Sequence, residues 1–481
     1  MADAYFFLFF LLPLLLLVVL YFLVKPRPVK IPIKNRHVFI TGGSSGIGLS
    51  LAHRAAAEGA RVSILARSLG KLEEARNAIR LVTGIEVAVF AADVRDFEAV
   101  KRAVDEAGPI DVLLLTHGVF VALELEKMEL SEIKFTMDVN LMGTLNLIKA
   151  ALPAMKNRKD PLPASIALVS SQAGQAGIYG YVAYSASKFG LRGLAEALQQ
   201  EVIADNIHVS LIFPPDTDTP GLAEGELLKY LVAGVARHGA YLEIEEDVEQ
   251  NAKKRWEILH FFLRKPELTK IIAASSGCMT AEKVAQKALD GIKSGSFIVS
   301  CNLEGIALSL ATAGLSPQRS FLMAFVEAGI YGYVAYSASK FGLRGLAEAL
   351  QQEVIADNIH VSLIFPPDTD TPGLAEENRR KPELTKIIAA SSGCMTAEKV
   401  AQKALDGIKS GSFIVSCNLE GIALSLATAG LSPQRSFLMA FVEVVAAGIL
   451  RIVALGMQWT WYGSIEKYHS QRKGKCCTKG Y

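Results

Sequence analysis

Ser171, Tyr184 and Lys188 have the types and the spacing to reduce a carbonyl group. Tyr184 and Lys188 stand at i and i+4, so a helix places them on one face. A cation there lowers the phenol pKa from about 10 towards working pH, which makes Tyr184 a general acid. Ser171, the second of two adjacent serines, is placed to polarise the carbonyl oxygen. The tyrosine half occurs twice. Tyr336-Ser337-Ala338-Ser339-Lys340 repeats it, with no serine pair before it.

These groups need elements to hold them beside a hydride donor. Val38-Phe39-Ile40-Thr41 is a short apolar run that meets Gly42-Gly43-Ser44-Ser45-Gly46-Ile47-Gly48, and a helical pattern follows to about Glu58. Strand, glycine loop and helix in that order form a dinucleotide cradle: the glycines admit a pyrophosphate and the helix N-terminus offers amide donors. Further apolar runs at 62–66, 87–91, 112–115, 166–169 and 209–213 alternate with helical patterns. The alternation predicts an α/β fold with a doubly wound parallel sheet of Rossmann type. Ligands then bind at the carboxyl ends of the strands, where Asp93-Val94, Thr116-His117-Gly118, Ser170-Ser171 and the run Pro214 to Gly221 fall. Arg67 follows the second strand, where an arginine favours the 2′-phosphate of NADP over the ribose hydroxyls of NAD; Ser68 and Lys71 assist. His117 reads as a polar neighbour of the cofactor and not as a catalyst. Tyr179 and Tyr181 read as wall, and Asp216 and Asp218 as turn residues.

A formal charge of +2 gives no electrostatic case for nucleic acid. Six cysteines form no disulfide framework and no metal-ligand spacing: Cys278 and Cys301 recur as Cys394 and Cys417, leaving Cys476 and Cys477 in a basic tail. The hydrophobic fraction of 51% is raised by the ends. Tyr5 to Val24 is uncharged and long enough to span a hydrocarbon core, with Lys25, Arg27, Lys30 and Lys34 after it. It reads as an uncleaved transmembrane anchor with the rest of the chain on the cytoplasmic side. Val444 to Gly463 is apolar with Trp459, Trp461 and Tyr462 near its end, and reads as a second membrane contact or a buried helix.

Thr41-Gly42-x3-Gly46-x-Gly48, Asn140, Ser171 and Tyr184-x3-Lys188 together resemble the short-chain dehydrogenase/reductase family over about 36–221. The anchor, Ser-Ser-Gln-Ala-Gly-Gln from Ser170 and Pro-Pro-Asp-Thr-Asp-Thr-Pro-Gly from Pro214 are similar to its branch acting on sphingoid ketones. The resemblance implies that Tyr184 is the acid, that Ser171 holds the ketone oxygen and that Lys188 binds the nicotinamide ribose and lowers the tyrosine pKa. It further implies that Asn140 holds a relay water. Asp93, with Val94 beside it, would meet the adenine, Gly118 would allow close approach, and Pro214 and Thr219 would meet the nicotinamide amide. It implies NADPH as cofactor, a long-chain sphingoid ketone as substrate, and an endoplasmic reticulum membrane location with the catalytic domain facing the cytosol. Self-association is left open. Two departures stand out: Thr116-His117-Gly118-Val119 replaces the family's frequent Asn-Asn-Ala-Gly, and Pro214-Pro215 replaces Pro-Gly. Competing readings are a membrane reductase of hydroxysteroid dehydrogenase type and an inactive duplicated chain.

Ala176 to Glu224 recurs unchanged as Ala328 to Glu376, and Arg264 to Glu327 as Arg380 to Glu443. Exact copies at these distances are not a solenoid; they fit a recent tandem duplication or a gene-model error. The expected organisation is an anchor and basic flank at 1–35, a reductase domain at 36–327 with an insertion at 225–263, a partial copy at 328–443 without its own cofactor loop, and a tail at 444–481. The nearer copy is expected to complete the domain, because it loops out the shorter insertion. The spare copy is expected to be partly disordered or packed outside.

Overall fold

The computed structural model describes residues 29–219, 278–312, 333–381 and 394–418, with 421, 422 and 425. The expected anchor at 5–24, the insertion at 225–263 and the tail at 444–481 lie outside the described residues. Among the described residues no helix is long and apolar enough to cross a membrane.

The first half alternates strand and helix: β1 (His37–Thr41), α1 (Gly46–Ala57), β2 (Arg61–Ala66), α2 (Leu69–Thr83), β3 (Ala88–Ala91), α3 (Phe97–Ala107) and β4 (Val112–Leu115). Then come α4 (Leu130–Met137), a π-helical turn at Asp138–Met142, α5 (Gly143–Lys156), β5 (Ala164–Val169), α6 (Val182–Val202) and β6 (Ile207–Phe213). The two-residue strands β7 (Thr217–Asp218) and β8 (Met279–Thr280) pair with each other, followed by α7 (Ala281–Lys293), β9 (Ile298–Ser300) and α8 (Leu303–Ala311). Seven strands form one sheet in the order β3-β2-β1-β4-β5-β6-β9, with every neighbouring pair parallel.

Successive side chains of a strand face opposite sides of the sheet, so apolar runs fill two cores at once. Phe39, Leu113, Leu115 and Ile166 pack under α3, α5 and α6. Val38, Ile40, Val112, Leu114 and Ala167 pack under α1, α2 and α7. Each fully buried aliphatic side chain contributes about 1.5–3 kcal/mol relative to exposure. Caps set the helix starts: Asp96 accepts from Ala99 N at 3.0 Å and Thr280 from Lys283 N at 3.4 Å.

The seventh strand comes from the nearer copy, with Ile212 beside Val299. The second copy gives α9 (Val334–Val354), β10 (Leu363–Phe365), β11 (Thr369–Asp370), α10 (Pro372–Arg380), β12 (Met395–Thr396), α11 (Ala397–Lys409) and β13 (Ile414–Ser416). Among the described residues β10 pairs only with β13 and β11 only with β12. Helices α7 and α11 have one sequence and two environments. Helix α7 buries Val284, Ala285, Ala288, Leu289 and Ile292, whereas α11 buries none of its residues. Local pattern makes both helices; among the described residues α11 packs on the short strands β11, β12 and β13 and not on the seven-stranded sheet. Helix α9, in contrast, packs closely along α6.

Candidate functional site

A cavity of about 530 Å³ opens at the carboxyl ends of β1, β4, β5 and β6. Gly42, Ser45, Gly46, Ile47 and Gly48 form one wall; Gly118, Ser171, Tyr184, Lys188, Pro214 and Thr219 complete much of the rest. The sheet thus gathers residues far apart in sequence, as a parallel α/β topology does at its strand ends.

The glycine loop has the shape that a pyrophosphate needs. Gly42 has φ of 65°, a left-handed conformation that L side chains rarely adopt, and a Cβ there would come within 3.0 Å of His117 Cα. A Cβ on Gly48 would collide with Gly42 O and stand 2.5 Å from Thr116 Oγ1, so the first turn of α1 lies directly on the loop. Thr219 closes the other side, its Cγ2 3.0 Å from where a Gly46 Cβ would stand. Opposite, Gly118 leaves space bounded by Asn140 Oδ1 and Lys188 Nζ, each 3.4 Å from a Cβ position. These side-chain-free surfaces, next to the amide donors at the start of α1, fit a dinucleotide.

Tyr184 and Lys188 lie on one face of α6. The Ser171 hydroxyl lies beside the Tyr184 phenol and favours its ionised form. Ser171 Oγ also accepts from Ala173 N at 3.2 Å, which fixes its rotamer at the start of a short turn. Ser170 ties the same loop to α6 by donating to Lys188 O at 3.0 Å. Lys188 Nζ donates to Val169 O at 3.1 Å and lies 5.5 Å from the Tyr184 ring centre. Phe120 and Tyr181 surround the phenol edge-to-face at 6.0 and 5.8 Å.

The expected lowering of the phenol pKa is not found. Burial pushes Tyr184 up to about 12, with the neighbouring Ser171 hydroxyl pulling the other way and Asp216 adding to the rise. Burial likewise pulls Lys188 down to about 8. Desolvation dominates both shifts, because the enclosure that disfavours phenolate also disfavours ammonium. His117 is neutral: burial, then Lys188, take it down to about 3. Its Nδ1 pairs with Thr41 Oγ1 at 2.7 Å and its Nε2 lies 3.4 Å from Thr144 Oγ1, so it bridges β1 and α5.

Asn140 is buried in the π-helical turn. Its Oδ1 accepts from Val119 N at 2.8 Å, and its Nδ2 donates to Val119 O and Ser187 Oγ, both at 2.9 Å. The side chain straps the strand-end loop to α6. Arg67, Ser68 and Lys71 are exposed after β2, and Ser44 is half-buried in the loop; none of the four lines the cavity. Asp93 is also outside it, with Arg95 Nε 3.1 Å from each carboxylate oxygen, and that pairing holds its pKa below the usual range. Val94 packs in the core and not into the cavity: its carbonyl accepts from Asn146 at 2.9 Å and its side chain fills the space beside Gly143. Asp216 lines the cavity and Asp218 is exposed, so they do not act as a pair. Tyr336 is 52% exposed, and neither it nor Lys340 lines the cavity.

Phe120, Glu304, Leu308 and Gln352 line the cavity and carry no signal by type or spacing. Glu304 and Leu308 arrive on α8 and Gln352 on α9, so only tertiary packing reveals them.

A family described as short chain dehydrogenase matches residues 36–226 and 325–382. The 3-dehydrosphinganine reductase TSC10A of Arabidopsis thaliana is 61% identical over 305 residues, covering 63% of this chain and 82% of that protein. The 3-dehydrosphinganine reductase TSC10B of the same plant is 57% identical over 336 residues, covering 70% and 91%. Among solved structures, L-sorbose reductase from Gluconobacter frateurii in complex with NADPH and L-sorbose has 22% identity and a TM-score of 0.45, covering 57% of this chain and 98% of that one. The match over more than half its length, together with these relatives, means that the chain belongs to the short-chain dehydrogenase/reductase family.

Proposed function

We propose that the chain reduces the ketone of 3-dehydrosphinganine to the alcohol sphinganine, with NADPH as the reductant, in sphingolipid synthesis. The observation that carries this reading is the meeting of Ser171, Tyr184 and Lys188 on one cavity whose opposite wall is the glycine loop. The names of the Arabidopsis thaliana relatives supply the substrate class.

Bound NADPH supplies the hydride. The chain's own residues do the remainder. Gly42, Gly46 and Gly48 with the start of α1 hold the pyrophosphate, and Arg67, Ser68 and Lys71 meet the 2′-phosphate. Lys188 holds the nicotinamide ribose, and Pro214 and Thr219 flank the amide. Ser171 donates to the ketone oxygen and fixes it near Tyr184. As the carbonyl carbon takes hydride, its oxygen takes the phenolic proton of Tyr184, so ketone becomes alcohol. A phenol pushed up to about 12 is fully protonated at neutral pH and ready to donate. The apolar wall of Phe120, Tyr181 and Leu308 suits the chain of a lipid ketone.

Tyr5 to Val24 anchors the chain in the endoplasmic reticulum membrane with the catalytic domain in the cytosol; its uncharged length and the basic residues after it support this. The substrate then enters from the bilayer. The test is NADPH oxidation by the full chain with 3-ketosphinganine and, separately, with a ketosteroid. Turnover of the sphingoid ketone alone is expected; turnover of the steroid alone would replace this reading.

A further inference from the structure

The loop after β6 brings a carboxylate to the cavity. Asp216 lines it together with Ser171, Tyr181 and Tyr184, whereas Asp218, two residues on, is exposed. The loop is pinned on both sides of Asp216. Pro214 O accepts from Gln172 N at 3.2 Å, which ties the start of the loop to the turn that holds Ser171. Asp216 O accepts from Met279 N at 2.9 Å, and β7 then pairs with β8. Thr217 Oγ1 donates to Pro215 O at 2.8 Å and so makes the side-chain bond that closes the turn. The Asp216 carboxylate does not share that task. Among the described residues it caps no amide and pairs with no lysine or arginine. The amine of Lys188 is held by Val169 O instead.

The Asp216 charge is nevertheless felt where the chemistry takes place. After burial, it adds to the raised pKa of Tyr184 and to that of Tyr181. Glu304, the other carboxylate on the cavity, contributes to neither. Glu304 is exposed in the first turn of α8, where a negative charge suits the helix N-terminus. Asp216 has no such use. A lipid ketone that fills the cavity expels water and strands this carboxylate, a costly state unless the ligand brings a cation. The sphingoid ketone does so: it carries a primary amine on the carbon next to its carbonyl, and a carboxylate alongside keeps that amine protonated.

We propose that Asp216 is the subsite for this amine, its carboxylate pairing with the ammonium while Ser171 and Tyr184 take the ketone oxygen. The inference rests on the sphingoid ketone as substrate. Asp216 then sets specificity as well as orientation: a ketone without the amine is penalised because it buries the carboxylate unpaired.

The experiment compares kcat/KM of the full chain in detergent for 3-ketosphinganine and for the same ketone with hydrogen in place of the amine. Wild type should favour the amino ketone by about 10–100-fold, the effect of one charge-assisted hydrogen bond. Asp216→Asn should bring that ratio close to one, while Asp218→Asn should keep the wild-type ratio. NADPH titration of both variants checks that the cofactor cradle is intact. Equal kcat/KM for the two ketones in wild type, or a preference that survives in Asp216→Asn, overturns the subsite and leaves ketone reduction standing. A wild type that reduces neither ketone overturns the substrate assignment, and the subsite falls with it. The wild-type comparison needs no variant, so it decides even where Asp216→Asn fails to fold.

Discussion

Lys188 Nζ lies 5.5 Å from the centre of the Tyr184 ring and gives a hydrogen bond to Val169 O at 3.1 Å. The backbone at the end of β5 therefore holds the amine beside the phenol. One enclosure acts on both groups in opposite senses: it keeps the phenol protonated and brings the ammonium close to losing its proton. The pair is set up to give a proton, which is the direction that ketone reduction requires.

Two tyrosines in identical pentapeptides should respond differently to one mutation. Tyr184→Phe removes the proton donor, and kcat should fall about 10²–10⁴-fold. Tyr336 is 52% exposed, so Tyr336→Phe should leave kcat within about twofold and the fold within about 0.5 kcal/mol. Steady-state NADPH oxidation on both variants decides; a larger loss at Tyr336 would assign the chemistry to the wrong copy.

Much of the sheet and of the site was legible in the sequence because both depend on local pattern. Apolar runs placed six strands to within one or two residues, and the glycine loop, Ser171, Tyr184 and Lys188 meet as their spacing implies. The phenol's pKa was misjudged because spacing reports a neighbouring charge but not the desolvation that opposes it. The turn of Val94 into the core was not legible, because a strand-end position does not say which way a side chain points. Gln352 was invisible because an exact repeat carries no sign of where its second copy docks. Likewise α7 and α11 cannot be told apart until one of them finds a sheet to cover.

Burial of Lys188 makes stability depend on pH. Its folded pKa of about 8 lies below the ordinary 10.5, so between these values the unfolded chain binds more protons. Stability then rises with pH across this window, by on the order of 2 kcal/mol from pH 8 to pH 10. Tyr184 and Cys301, both raised to about 12, act in the opposite sense as pH climbs above about 9. The clean quantity is therefore the difference between wild type and Lys188→Met, which share the Cys301 effect. Unfolding midpoints at pH 7, 8, 9 and 10 should show wild type gaining on Lys188→Met as pH rises. A constant gap would mean that the lysine titrates normally.

Arg67 should set cofactor choice without touching the chemistry. It is exposed after β2 and outside the cavity that holds Tyr184. Arg67→Asp removes a partner for the 2′-phosphate and adds an acceptor for ribose hydroxyls. KM for NADPH should rise about tenfold, the effect of one charge-assisted hydrogen bond, while NADH becomes the better reductant and kcat changes little. Initial rates with the two nucleotides measure this, and an unchanged NADPH preference would remove Arg67 from the cofactor site.

The glycine loop offers the sharpest steric test. A Cβ on Gly48 has no room: Gly42 O and Thr116 Oγ1 already occupy its place, and both belong to segments pinned by the sheet. Gly48→Ala must push α1 away from the loop, which should cost about 1–3 kcal/mol. The same shift moves the amide donors off the pyrophosphate, so NADPH affinity should fall with stability. Gly70 is the control, since it lies in the first turn of α2 and a Cβ there would meet nothing within 4 Å. Gly70→Ala should be neutral or stabilise by up to about 1 kcal/mol, through the smaller entropy loss of alanine on folding. Thermal unfolding and NADPH titration of the two variants separate the cases: loss at both positions would point to a general fragility of the sheet and not to a cradle built around Gly48.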